Sequence, residues 1–266
     1  MKKLIGATAL IAVAFAGGNY FGKTRSAPVL DAATPGESYQ GGFRVTESFG
    51  ANRVAVPSVE GEVIVVEDGG SIQDAVNRAN PGDTIRVMPG ADVETVYIDL
   101  DGLRLIGVIE EGAWPTLEGV TRLNDAILYS GNNIVVENFK ITHYKGNGIM
   151  GQAGNNFEIR NNLIVDTGVY GIFPQLGQNG IVEGNIISGI EDAAIYVGMS
   201  DNVHVSGNEV FDSVAGIEIE NSRHAIVENN YVHDNTGGIL AFITPGLPIK
   251  TTRAVVIRDN FVVNNH

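Results

Sequence analysis

The chain has no cysteine among its 266 residues. Disulfide staples and thiolate metal sites are therefore excluded, and with no thiol to acylate a lipoprotein anchor is not expected. Tryptophan occurs once and methionine four times. Cations are also scarce, 17 Lys and Arg against 31 Asp and Glu, for a formal charge of −14. A chain this acidic is repelled by nucleic acid and by anionic membrane surfaces, so neither is an expected partner. Beyond the first 16 residues no run is apolar enough to span a bilayer.

Those first residues have their own character. Lys2 and Lys3 precede an apolar stretch, Leu4 to Ala16, that closes on Ala14-Phe15-Ala16. Residues 1–16 read as a signal peptide, with an uncleaved anchor running to about residue 22 as the other reading. Both predict a periplasmic, secreted or tethered protein. Cleavage would remove two lysines and take the charge from −14 to −16. Residues 17–61 are rich in Gly, Ser, Ala and Pro without periodicity and read as a linker or irregular N-terminal segment.

Glycine is abundant, 34 residues, about twice its ordinary share of ~7%. It accompanies Asn and β-branched residues, which points to many tight turns between strands rather than to disorder. Val63-Ile64-Val65-Val66 reads as a strand. Ser71 then caps a short helix with Ile72, Ala75, Val76 and Ala79 on one face, and Asn80-Pro81-Gly82-Asp83 ends it before strand Thr84-Ile85-Arg86-Val87. Farther on, a small residue followed by Ile recurs at 126–127, 148–149, 171–172, 194–195, 216–217 and 238–239, in steps of 22 or 23. Asn162, Asn185, Asn208 and Asn230 keep the same period, and the next member, Asn260, follows after 30 residues. Three short strands per ~22–23 residues, with Gly or Asn at the corners, form one coil of a parallel β-helix. In such a stack the Asn side chains bond to one another and to turn backbone, which makes them structural.

Two stretches carry a resemblance. Residues 71–90, Ser71-Ile72-Gln73-Asp74-Ala75-Val76 through Met88-Pro89-Gly90, resemble the helix-capped start of right-handed, pectin-lyase-like β-helix proteins. The repeats from Asn124 onward resemble those of carbohydrate-binding and sugar-hydrolase domains. Later segments, including Asn235-Thr236-Gly237-Gly238 and Pro245-Gly246-Leu247-Pro248, are similar to exported bacterial β-helix proteins of uncharacterised function. The implied fold is all-β: a single-stranded right-handed parallel β-helix over residues 62–266 with an N-terminal capping helix. No activity transfers with it. The chain has no Asp-Pro-His-Asp run like that of mannuronan epimerases, and neither the Gly-His-Gly nor the Asn-Thr-Asp of polygalacturonases.

Alternation on the small-Ile strands turns the isoleucines inward and their successors outward. One outward column then reads Leu128, Met150, Phe173, Tyr196, Glu218, Leu240, and the next Ser130, Gln152, Gln175, Gly198, Glu220, Phe242. Rings beside amides and carboxylates suit a sugar chain. Phe173, Gln175, Tyr196, Phe242 and Arg253 are the substrate-binding candidates. Glu218, Glu220, Tyr196, Arg223, His224 and Lys250 are the catalytic ones, because the insertion at 243–253 is expected to overhang the two glutamates. Two carboxylates serve a hydrolase. A cation with a Tyr, His or Lys base serves a lyase or epimerase. A surface ion-pair patch is the plain alternative.

The expected function is an exported protein that binds a polysaccharide, or binds and processes it. No motif demands a cofactor, and calcium is the one candidate, as a bridge to a polyuronate. The alternatives are a non-catalytic surface or scaffold module and a periplasmic accessory to metalloenzyme maturation, which four Met and no Cys disfavour. The sequence stops mid-coil at His266. Missing coils or a capping partner are therefore expected there.

Overall fold

The structure, a computed structural model, describes residues 53–57 and 61–266. The signal-peptide reading and most of the 17–61 segment lie outside the described residues. Apart from one helix, Ile72–Arg78, the described elements are short strands gathered into three parallel sheets of nine, seven and eight strands. Each strand pairs with its counterpart one coil away. Ile149 pairs with Ile172, Ile195 with Ile217 and Ile217 with Ile239. The right-handed parallel β-helix with three strands per coil is thus the fold.

The inward isoleucines build the core: Ile127, Ile149, Ile172, Ile195 and Ile217 are fully buried. The residue before each must be small because it also leans inward. A Cβ on Gly171 would lie 2.5 Å from the Ala194 carbonyl oxygen and 2.6 Å from Ile187. The capping helix buries Ile72, Ala75 and Val76 over the first coils. Its N-terminus is held twice. The Ser71 hydroxyl accepts from the Asp74 amide at 3.1 Å, and the Glu94 carboxylate accepts from the amides of Ile72 and Gln73 at 2.7 and 3.1 Å. The negative group sits where the free N–H groups and the helix dipole favour it.

The asparagine ladder is continuous. Side-chain amides donate from Asn162 to Asn185 at 3.0 Å, then on to Asn208, Asn230 and Asn260 at 2.9 Å each. Each Oδ1 also accepts a backbone amide from the preceding coil, such as Asn185 N to Asn208 at 2.9 Å. A second ladder runs through Asn133, Asn156, Asn179 and Asn202, all at left-handed φ, with bonds of 3.1, 3.0 and 2.7 Å. Asp166, Asp212 and Asp234 are turn residues, with φ of 55, 51 and 53°.

Two features lie outside the regular coils. The insertion after Phe242 is tied down by the buried side chain of Asn221. Its amide donates to the carbonyls of Thr244 and Ile249, and its oxygen accepts from the Thr244 amide at 2.7 Å. Before the helix, residues 53–57 lie across the outside of the nine-stranded sheet. The Arg53 guanidinium grips both oxygens of Glu183 at 2.9 and 2.7 Å, and the Val56 amide donates to Glu158 at 2.7 Å.

Candidate functional site

The candidate residues of the outward columns lie on the outer face of the seven-stranded sheet. Strands Asn147–Gln152, Tyr170–Gln175, Ala193–Gly198, Ala215–Glu220 and Gly237–Phe242 lie side by side there. The register sets Met150 beside Phe173, Tyr196 beside Glu218, and Glu218 beside Leu240. Three rings gather at the centre. Tyr170 and Tyr196 stack at 4.6 Å and 18°, and Phe173 meets each edge-on at 4.7 Å. Small neighbours make room for them: Ala193 and Ala215 complete the cluster. A Cβ on Gly198 would lie 2.6 Å from the Tyr196 ring. Only glycine lets that ring lie over the backbone.

Carboxylates border the rings. Burial, reinforced by the charge of Asp192, pushes Glu218 up to about 7. Asp192 is itself raised by burial, against a hydrogen bond from the Tyr170 hydroxyl that favours its charged form. Burial raises Tyr170 too, helped by Asp192, Glu218 and Glu220, so its phenol stays protonated at neutral pH. Glu220 is only 7% exposed. It shares the outward face with Glu218 two residues along the strand, ~6.7 Å away at Cα.

The structure therefore brings together Phe173, Tyr196, Glu218 and Glu220, with Phe242 beside Glu220 and Gln175 two coils back from it, its amide donating to Gln152 at 2.7 Å. Arg223 and His224 turn elsewhere. Both clasp Asp201, at 2.9 and 2.7 Å, on the extension of the nine-stranded sheet. Arg253 follows them there, bridged to Arg223 through the backbone. Lys250 is exposed on the insertion, whose backbone is held at the Asn221 corner. Tyr170 and Asp192 are additions that the sequence reading missed. Tyr170 occupies the outward position of Asn147, Ala193, Ala215 and Gly237 in the neighbouring coils. Alternation counted backward from Ile172 would have placed it inward; because Gly171 also leans inward, the alternation breaks there and Tyr170 lies on the outer face. Among the described residues no three or more His, Asp and Glu side chains gather as a metal site would require, and no helix is long and apolar enough to cross a membrane.

Fold and face together define a right-handed parallel β-helix with an aromatic and acidic outer face. Residues 116–244 match the family model described as right handed beta helix region. Among solved structures, an alginate lyase from Paenibacillus sp. str. FPU-7 is similar at 20% identity and TM-score 0.53, covering 75% of each chain. The pectate lyase Pel9A is similar at 12% identity and TM-score 0.55, over 66% of this chain and 55% of that one. DFA-IIIase from Arthrobacter chlorophenolicus A6, without its lid and in complex with GF2, matches at 15% identity and TM-score 0.52, over 78% and 73%. At these identities the likeness is one of fold. No curated protein matches the chain.

Proposed function

We propose that the outer face of the seven-stranded sheet binds a polysaccharide and that Glu218 is the proton donor in its hydrolysis. The observation that carries this reading is a carboxyl held near pH 7 at the edge of a three-ring platform. Sugar rings stack on the aromatics while Glu218 gives its proton to the glycosidic oxygen as the C–O bond breaks. Asp192, oriented by the Tyr170 hydroxyl, takes a proton from the water that attacks the anomeric carbon. The reaction requires one protonated and one ionised acid, and the hydrogen bond from Tyr170 favours the ionised form of Asp192. A lyase or epimerase is less well served. Of the groups it would use, Arg223 and His224 are held by Asp201, Lys250 is exposed on the insertion, and Tyr170 is kept protonated by burial. The similarity in fold to an alginate lyase and a pectate lyase supports a polysaccharide ligand but does not choose the reaction.

The test is a panel of polysaccharides scored for binding and for release of reducing ends, with and without calcium. Glu218→Gln is expected to cut turnover by roughly 10²–10⁴-fold with binding retained, and Tyr196→Ala to weaken binding itself. Unchanged binding in Tyr196→Ala and Glu218→Ala would rule this face out. Export belongs to the same reading, supported by Lys2, Lys3 and the apolar run to Ala16. The full-length protein, expressed with its own N-terminus, is expected in the periplasm or medium starting at Gly17. Retention in the cytoplasm with residues 1–16 intact would refute export.

A further inference from the structure

A second row of rings lies outside the face already described. The eight-stranded sheet turns Phe211, Tyr231, His233 and Phe261 outward from its adjacent strands Glu209–Phe211, Tyr231–His233 and Phe261–Val263. His233 stacks on Tyr231 at 4.0 Å and on Phe211 at 5.0 Å, and Tyr231 meets Phe261 at 5.5 Å. Two carboxylates fix the histidine through both ring nitrogens, Asp234 at 2.7 Å and Glu209 at 3.3 Å. The row is thus set in place, yet Phe261 is 63% and Tyr231 39% exposed. Rings this open are the side chains that bury the most area when something covers them.

What covers the row follows from where it leads. One coil carries both faces: Phe211 stands on the eight-stranded sheet, Asp212, Ser213 and Val214 turn the corner, and Ala215 and Glu218 stand on the seven-stranded sheet. Seven residue steps separate Phe211 from Glu218, at most about 23 Å of extended backbone. The next coil repeats the course, from His233 through Asp234 and Thr236 to Gly237 and Leu240. The corner is hollowed by an open cleft of about 460 Å³ whose lining includes Ile190, Asp212, Val214, Asp234 and Thr236. Val214, 49% exposed, gives the cleft an apolar wall, and the two aspartates and Thr236 give it hydrogen-bond acceptors. Outer rings, corner cleft and the platform of Tyr170, Phe173 and Tyr196 form one track that runs around the solenoid rather than along it. A glycan chain alternates apolar ring faces with hydroxyl edges along its whole length and meets each part in turn. A compact ligand confined to the platform would leave the outer rings uncovered.

Building on the polysaccharide reading above, we propose that the bound glycan continues past the platform, rounds this corner and stacks on Tyr231 and Phe261, so that the protein takes the interior of a long chain rather than a chain end. The experiment titrates the full chain with tetramers and octamers cut from cellulose, xylan, mannan and polygalacturonate, the last with and without calcium. In each series that binds, the octamer is expected to bind roughly tenfold tighter than the tetramer, the effect of two further stacked rings. Phe261→Ala and Tyr231→Ala should each cut that advantage to about threefold and leave the tetramer's affinity unchanged. Phe261 is the more exposed ring, so its variant decides alone if Tyr231→Ala does not fold, as judged by circular dichroism. Equal affinities for tetramer and octamer, or an advantage that survives the substitutions, would overturn this inference; binding that Tyr196→Ala still weakens would leave the polysaccharide reading standing. A dimer that Phe261→Ala splits, with the octamer's advantage intact, would assign the row to a second copy of the chain and likewise overturn the inference. No binding by any series would overturn both readings.

Discussion

Two carboxylates, Glu218 and Glu183, tie folding to pH in opposite directions. Glu218 is raised to about 7 by burial and then by Asp192. The folded protein holds this proton where the unfolded chain has released it, so the group lowers stability progressively as pH rises from the ordinary glutamate range to about 7. Glu218→Gln is expected to be neutral at pH 4 and to raise Tm at pH 8. The gain is roughly 1 kcal/mol after allowing for solvent screening, or about 2–4 °C in a chain of this size. Thermal melts at the two pH values check it, and a carboxyl titration followed by NMR should show a midpoint that falls in Asp192→Asn. Glu183 behaves oppositely. The hydrogen bond from Arg53 holds it below its usual range, so its contribution is present above that range and lost as pH falls through it. Under the proposed hydrolysis, activity is expected to follow the first group and to fall above pH 7 as Glu218 loses its proton.

The coil is the next scale, and its stability is concentrated in the ladder. Asn185 is fully buried. Its amide donates to Asn208, to the Ile159 carbonyl at 3.0 Å and to the Glu183 carbonyl at 3.2 Å, while its oxygen accepts from Asn162. Asn185→Ala leaves several of these groups unsatisfied and is expected to cost about 2–4 kcal/mol, measured by denaturant unfolding. Asn260→Ala, at the more open end of the same ladder, should cost less. This ladder is legible in sequence because each Asn follows an Ile or Val run that fixes its register. The second ladder keeps an equal period at Asn133, Asn156, Asn179 and Asn202, yet those residues sit at left-handed corners without a preceding apolar run to mark them. The site is legible only in part, for a related reason. Arg223 and His224 follow Glu220 closely in the chain, but Asn221, at φ 46°, turns the backbone around the corner to Asp201. Outward columns follow from strand alternation; which residues meet beyond a corner depends on one torsion angle and its side-chain anchors.

At the scale of the whole molecule each coil touches mainly its two neighbours, so cooperativity depends on contacts that reach across several. Residues 53–57 provide such contacts. Val56 holds Glu158 and Arg53 holds Glu183 one coil later, with the Arg53 guanidinium 3.4 Å from His204 in the coil after that. Arg53→Ala removes a half-exposed pair and is expected to cost up to about 1 kcal/mol, with the difference from wild type shrinking at high salt. An equal difference in 0.05 and 1 M salt would argue that Arg53 acts through packing instead.

That tie gives the molecule a mechanical polarity. Where residues 53–57 cross the coils of Glu158, Glu183 and His204, a pull along the stack is shared between sheet hydrogen bonds and a lateral brace. Among the described residues no such brace crosses the coils of Tyr231 and Phe261, which are joined by sheet and ladder bonds, the Tyr231–Phe261 ring contact and the Arg258–Glu228 ion pair. Under load, the braced middle is expected to outlast the coils that follow.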